Sequence, residues 1–488
     1  MKVGASFALC AILGVGWQVA AAKPRDAPLR AIEIAEQNRS FQPSLASYLD
    51  AEPHVAARAA LAIGRTKNLA GASALRQHLA ARDPSLRAMC AYALGLLAAG
   101  SALDDERRLA HDDPSSAVRY AAVDAVGRIL LAAPDLASKY VARDLEIVMR
   151  SDADAVVRAH AAAQFDVFGA SPFAVAFAGD LERVVETERD GAVRWHAMWA
   201  LYRGFATVAD PGFLRRALTD RDELVRVEAL RAWGRRSDAP GQEIARRAAS
   251  DPSWRVQLQA LETLKHLHHE PATEHLVALP AGIHLPPPAA AAAAAALPAP
   301  IASGTPRAPQ PGTVPLAATA FPTSAEQMNG PFAATHPRAL IRTSKGDVVV
   351  RLFPEWAPLT VANFLALGSR GYYDGNRWFR IVPDFVAQTG DAHDDPDGDA
   401  GFALPAEENP VEQRSGVIAM GLDYKDGKAI RDSAGTQYYL TLSPQLHLDR
   451  DFTVFGEVES GADVLANLIE SDRVIGVRRI ADSPAAGS

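Results

Sequence analysis

The chain has 488 residues, 48% of them hydrophobic, and 58 acidic against 50 basic side chains, a formal net charge of −8. That length exceeds what one hydrophobic core organises, so two or more domains are expected. The acidic balance, a pI near 5.9 and the lack of any sustained Lys/Arg run exclude nucleic acid as a main partner. The chain opens with MKVGASFALCAILGVGWQVAAAKPRD. Lys2 supplies a positive start, Val3 to Val19 is apolar, and Ala20-Ala21-Ala22 offers a small-residue cleavage site. That is the layout of a secretory signal peptide over residues 1–22. It predicts an exported protein, periplasmic or secreted, with no stable membrane span after cleavage. Cys10 leaves with the leader, so Cys90 remains alone and no intrachain disulfide is available. Cys90 reads as a small buried hydrophobe.

Residues 23–278 are rich in Ala, Leu and Arg with helical periodicity and frequent Asp or Pro breaks. PHVAARAALAIG, PSLRAMCAYALG, SAVRYAAVDAVG, GAVRWHAMWALY and LVRVEALRAWG share one template, with VRAHAAAQFDVFG a degenerate copy. The anchors Val55, Leu86, Val118, Val157, Val193, Val225 and Val256 recur at about thirty to forty residues. Small residues predict close helix packing, and the glycine ending most copies predicts a helix C-terminus. The pattern resembles the short HEAT-like repeats seen in bacterial proteins, which implies an all-α solenoid of stacked helix pairs. An arginine follows the anchor at Arg87, Arg119, Arg158, Arg194 and Arg226. Pairing with turn acids such as Asp83, Asp113 and Asp154 is favoured over a basic ligand-binding ladder.

HLHHE at His266–Glu270 lacks HExxH spacing, so a metal site is not assigned. Residues 279–334 shift to a Pro/Ala-rich composition that builds no core, predicting a flexible linker whose two flanking domains move separately.

Residues 335–482 form the second domain, ahead of a short tail at 483–488 expected to be disordered. Within WFRIVPDFVAQTGD (Trp378–Asp391), alternation places Arg380 on a strand face opposite Phe379 and Ile381, and Pro383-Asp384 breaks that strand before another. The run DAHDDPDGD at Asp391–Asp399 fails the EF-hand register, because His393 and Leu404 fall where Asp and Glu are needed. It reads as a solvated acidic loop.

GDVVVRLFPEWAPLTVANFLALGSRGYYDG lies upstream of Arg380; GVIAMG, GTQYYLTLSP and HLDRDFTVFGEVESG follow it. Their order and spacing resemble the cyclophilin family of peptidyl-prolyl cis/trans isomerases over about Ala339 to Ile480. The resemblance implies a closed eight-stranded antiparallel β-barrel with two helices, in APLTVANFLALGSRG and GADVLANLIES, and rotation about X-Pro bonds without cofactor or metal. It assigns catalysis to Arg380 and substrate binding to Phe385, Val386, Gln388, Gln437, Tyr439, His447, Leu448 and Phe452. Five of these, Phe385, Val386, Tyr439, Leu448 and Phe452, would line the proline pocket. Gln388 would orient the arginine, Gln437 would hold substrate backbone, and His447 would stand at the rim.

The chain departs from eukaryotic members at Tyr439, His447 and Phe452, where Phe, Trp and His are common. Leu422 replaces an Asn that contacts peptide, and LDYKDGKAIRDSAG replaces an Asn/Pro-rich loop. Two functions follow. One is an isomerase that helps exported, proline-containing clients fold, with the repeats recruiting clients or a protein partner. The alternative is a non-catalytic proline-peptide-binding or assembly protein whose repeat array does the work.

Overall fold

The computed structural model describes residues 27–267 and 335–484, apart from 396, 397 and 399. The leader, the Pro/Ala-rich segment and the final residues lie outside that range, as does most of HLHHE. Residues 27–267 are helical throughout. The first five helices are α1 (Ala27–Gln37), α2 (Pro43–Ser47), α3 (Pro53–Arg65), α4 (Ala72–Gln77) and α5 (Pro84–Leu96). Then come α6 (Leu103–Asp112), α7 (Ser116–Ala132), α8 (Lys139–Ser151), α9 (Ala155–Ala163) and α10 (Ala174–Thr187). The last are α11 (Gly191–Ala200), α12 (Pro211–Ala217), α13 (Glu223–Trp233), α14 (Gly241–Ser250) and α15 (Trp254–His266).

Odd-numbered helices from α3 to α15 stack into one row and carry the seven anchors, all buried. The row is held at one edge by the post-anchor arginines. Each reaches an acid in the following repeat: Arg87 to Asp113, Arg119 to Asp152, Arg158 to Glu188, Arg194 to Asp220 and Arg226 to Asp251. The same guanidinium donates to a backbone carbonyl of its own turn, as Arg119 does to Asp113 O at 2.9 Å. The structural pairing holds, with two of the three expected acids reassigned. Asp83 and Asp154 instead cap α5 and α9 through Ser85 N and Val156 N, because a turn carboxylate lies nearest its own helix's free N–H groups.

The repeat glycines also act differently from expectation. Gly64, Gly95 and Gly127 keep negative φ inside their helices and do not form left-handed caps. A Cβ on Gly95 would stand 2.7 Å from Ala125 Cα, so this glycine is there because α5 and α7 touch backbone to backbone.

The second domain is an eight-stranded antiparallel ladder in the order β10-β1-β2-β9-β5-β8-β4-β3. Its strands are β1 (Thr335–Thr343), β2 (Gly346–Leu352), β3 (Arg380–Val382), β4 (Val386–Thr389), β5 (Val417–Met420), β8 (Tyr438–Thr441), β9 (Val454–Ser460) and β10 (Val474–Pro484). A separate hairpin pairs β6 (Tyr424–Lys425) with β7 (Lys428–Ala429). The ladder itself does not close between β3 and β10. The seam is stitched by the segment before β3, where Trp378 N donates to Asp472 O at 3.0 Å and Gly375 N to Val474 O at 2.7 Å. Helices α16 (Pro358–Ser369) and α17 (Ala462–Ala466) occupy the two expected stretches. The barrel core is aromatic, with Phe364, Tyr373, Tyr438 and Phe455 in mutual edge or tilted contact.

The two domains are in contact in the structure, and the odd-helix row grips the barrel along its length. Arg65, fully buried, donates to Glu408 O at 2.8 Å and Trp356 O at 2.6 Å. Lys67 pairs with Glu408, Arg39 with Asp432, and Tyr120 with Glu412. Arg450 reaches back to Gln164 at 2.5 Å, and Leu446 packs into the array's own apolar cluster. Composition of the intervening segment carries no information about such pairs, which join residues hundreds of positions apart.

Candidate active site

β3 and β4 form a short antiparallel pair in which Arg380 faces Gln388 across the ladder. Alternation works as expected: Ile381 is buried, while Arg380 projects to solvent. The Arg380 side chain donates to Gln388 Oε1 at 3.3 Å, and Gln388 Nε2 donates to Gln437 Oε1 at 2.9 Å. Gln437 in turn donates to Asp395 O at 3.1 Å. A guanidinium is therefore steered by a chain of amides that ends on backbone. The loop receiving the last bond is solvated at Ala392, His393 and Asp395, and only its first residue is buried among those described. Asp391 is 2% exposed, and its Oδ1 accepts from His393 N and Asp395 N.

Beside this relay lies a compact apolar cluster, separate from the barrel core. It includes Val386, Tyr439, Leu448 and Phe452, with Phe385 and Leu422 half-buried at its border. Tyr439 and Phe452 meet edge-on at 5.7 Å, and the Tyr439 hydroxyl donates to Gln413 Oε1 at 3.1 Å. Burial in this apolar setting pushes that hydroxyl well above the usual phenol range. Phe385 lies between two groups: the Arg380 guanidinium carbon 5.4 Å from its ring centre, and the His447 ring stacked at 5.6 Å. His447 is pushed down to about 4, by burial first and then by the Arg203 and Arg231 charges of the array, so it is uncharged near neutrality.

The nine candidate residues thus fall into two adjoining groups: Arg380, Gln388 and Gln437 in the relay, and Val386, Tyr439, Leu448 and Phe452 in the apolar cluster, with Phe385 and the stacked His447 at its border. Sequence reasoning missed several neighbours. Asp384, at the turn before Phe385, meets Arg255 and Arg231 of the array. Gln413 holds Tyr439, and Gln445 holds the Asp384 carbonyl at 3.0 Å. The unusual loop LDYKDGKAIRDSAG is the β6–β7 hairpin. Asp426 at φ 52° and Gly427 at φ 75° form its two-residue turn, the Asp-Gly signal for such a hairpin. That signal was present in the sequence. The hairpin carries Tyr424 into the field of Arg380, and Leu422 at its start lines a cavity of about 20 Å³ with Gln437 and Thr436, room for one water.

Chemically, the arrangement offers an oriented guanidinium donor at the edge of a buried apolar cluster. Among the described residues no group of His, Cys, Asp and Glu is arranged to hold a metal ion.

Comparison with known proteins identifies the family of each region. The family described as cyclophilin type peptidyl-prolyl cis-trans isomerase/CLD matches residues 338–481, and HEAT repeats match residues 42–127 and 72–166. A peptidyl-prolyl cis-trans isomerase of Synechococcus elongatus is 33% identical over 148 residues, covering 30% of this chain and 98% of that protein. Peptidyl-prolyl cis-trans isomerase B of Bacillus subtilis is 37% identical over 129 residues, 26% of this chain and 86% of that protein. A solved cyclophilin type isomerase of Cryptosporidium parvum aligns at TM-score 0.28 and 24% identity, covering 30% of this chain and 99% of its own. The family's stretch coincides with the β-ladder that carries Arg380, and one relative is matched along nearly its whole length. The chain belongs to the cyclophilin-type peptidyl-prolyl cis-trans isomerases, with a HEAT-repeat array ahead of the isomerase domain.

Proposed function

We propose that turnover runs through Arg380, with the proline ring of the client held by Phe385, Val386, Tyr439, Leu448 and Phe452. Planar X-Pro bonds differ little in energy, but about 18–20 kcal/mol separates the isomers because rotation breaks amide resonance. Twisting leaves a lone pair on the proline nitrogen. A fixed cationic donor near that nitrogen favours the twisted state over both planar ones, which is catalysis by differential binding. Arginine suits the task because its guanidinium never deprotonates in this range. Gln388 orients the guanidinium, Gln437 binds substrate backbone, and neutral His447 contributes contact at the rim without moving protons.

The observation that carries this reading is the exposed Arg380 side chain, held by Gln388 and lying over the Phe385 ring at the edge of the buried apolar cluster. Arg380→Ala is expected to lower kcat/KM on short X-Pro peptides by roughly 100- to 1,000-fold, the range for losing one transition-state donor. Wild-type rates from a correctly folded variant would sink the assignment.

The clients are exported proteins, periplasmic or secreted, a reading that rests on the leader at residues 1–22. The array is a scaffold that recruits clients or a protein partner on the surface that the barrel leaves free. Tyr140, Phe173 and Val175 support this, since all three are exposed large hydrophobics at the starts of α8 and α10 in the other helix row. Fractionation of cells with an antibody to the mature chain tests the location, and a chain retained with cytosolic markers would overturn it.

A further inference from the structure

Three loops border the apolar cluster beside Arg380, and the array grips each of them. The base of the β6–β7 hairpin is held at Asp432 by Arg39. The segment carrying His447 and Leu448 is anchored by Leu446 and Arg450. The third loop, Pro383 to Phe385, lies closest to the chemistry.

Asp384 occupies the left-handed region at φ 56° and is 7% exposed. Its carbonyl is held within the barrel by Ser443 Oγ at 2.5 Å and Gln445 Nε2 at 3.0 Å. Its carboxylate is held from the other domain. Oδ1 accepts from Arg255 Nε at 2.9 Å, and Oδ2 lies 3.6 Å from Arg231. Both arginines are themselves fixed. Arg255 pairs with Glu223 at 3.1 Å and stacks on Trp254, while Arg231 holds the buried Glu228 at 2.8 Å. The array thus covers this carboxylate and supplies the cations that offset its burial, so the Asp384 turn is tied to the array as well as to the barrel. The next residue is Phe385, whose ring separates Arg380 from His447.

We propose that the repeat array is a working part of the isomerase site: Arg231 and Arg255 hold the Asp384 turn and, through it, set the Phe385 ring at the mouth of the proline pocket. Both arginines are then positioning residues for turnover. This rests on the reading of Arg380 and Phe385 given under the proposed function. It also assigns the array a role toward its own barrel, in addition to any outside partner.

The test uses the full chain carrying Asp384→Asn, Arg255→Gln or Arg255→Lys. Asparagine keeps the shape of the side chain and tolerates positive φ, so the first variant removes charge with little backbone disturbance. Isomerisation of a short X-Pro peptide is followed by NMR exchange, reading kcat and KM separately. A second readout is the His447 imidazole resonance, which shifts when the stacked Phe385 ring moves. Melting curves establish that each variant is folded.

Asp384→Asn and Arg255→Gln are expected to lose about tenfold in kcat/KM, mainly through KM, and to displace the His447 resonance, with Arg255→Lys recovering part of both. Folded variants that keep the wild-type kcat/KM overturn the proposal, whether or not the resonance moves. So does a rate that falls only in step with melting temperature. If Asp384→Asn fails to fold, the two Arg255 variants decide. Failure of the underlying reading is separable: wild-type turnover by Arg380→Ala would dismiss that arginine, while the His447 resonance still reports whether the array sets Phe385.

Discussion

At the scale of single residues, the site depends on how firmly one flexible side chain is held. Gln388 is the middle of the relay, accepting from Arg380 and donating to Gln437. Gln388→Ala removes both bonds and leaves Arg380 free to sample its rotamers. With about 1 kcal/mol per net hydrogen bond, kcat/KM is expected to fall roughly five- to tenfold, far less than for Arg380→Ala. Steady-state isomerisation of the two variants side by side checks the order; equal losses would show that Gln388 does more than orient. No step needs a proton. With His447 lowered to about 4, kcat should be flat from pH 6 to 9.

At the scale of elements, the array is built on close approach. Gly95 lets α5 meet α7 at Ala125, and an added Cβ would also stand 3.3 Å from the Arg128 side chain. Arg128 pairs with Asp124 at 2.5 Å and reaches toward Arg450 of the barrel. Gly95→Ala should therefore cost about 1–3 kcal/mol, the usual penalty for overpacking. Chemical denaturation of the full chain measures it, and an unchanged midpoint would mean that the two helices have slack. The arginine ladder is a second device of the same kind, joining each repeat to the next by one bidentate or near-bidentate pair.

At the scale of the whole molecule, docking buries a titratable cluster. His160 stacks on Tyr120 at 4.1 Å, lying 3.5 Å from Asp124 and 3.6 Å from the barrel's Glu412. Burial works against its charge, but Asp124 and Glu412 outweigh it and lift His160 to about 9, while Glu412 falls to about 2. His196, also close to Glu412, is shifted down by burial and so acts in the opposite direction. The raised His160 contributes stability fully below its unfolded value of about 6.5, and that contribution is lost as pH rises through 9. The depressed Glu412 contributes above about 4.5 and is lost as pH falls through 2. The melting temperature of the full chain should exceed that of His160→Gln most between about pH 4.5 and 6.5. The gap should narrow toward pH 9. A gap that widens with pH would dismiss the charged histidine.

Much of this was legible in the sequence, for reasons that are local. Seven anchors at a steady interval can only stack, because one helix pair cannot bury its own apolar face. Alternation around Arg380 decided which way it points, and the order of motifs singled out residues that the fold brings into one relay and one adjoining apolar cluster. Asp-Gly in the altered loop carried its hairpin in plain view. What the tertiary structure alone decided is everything that depends on a distant partner. Asp384 reads as an ordinary turn residue until Arg231 and Arg255 arrive from another domain, and Arg65 looks like one more surface arginine until it donates to two barrel carbonyls. Periodicity and propensity act over a few residues, whereas ion pairs and hydrogen bonds between domains require only proximity, which the folded chain creates between positions no local pattern connects.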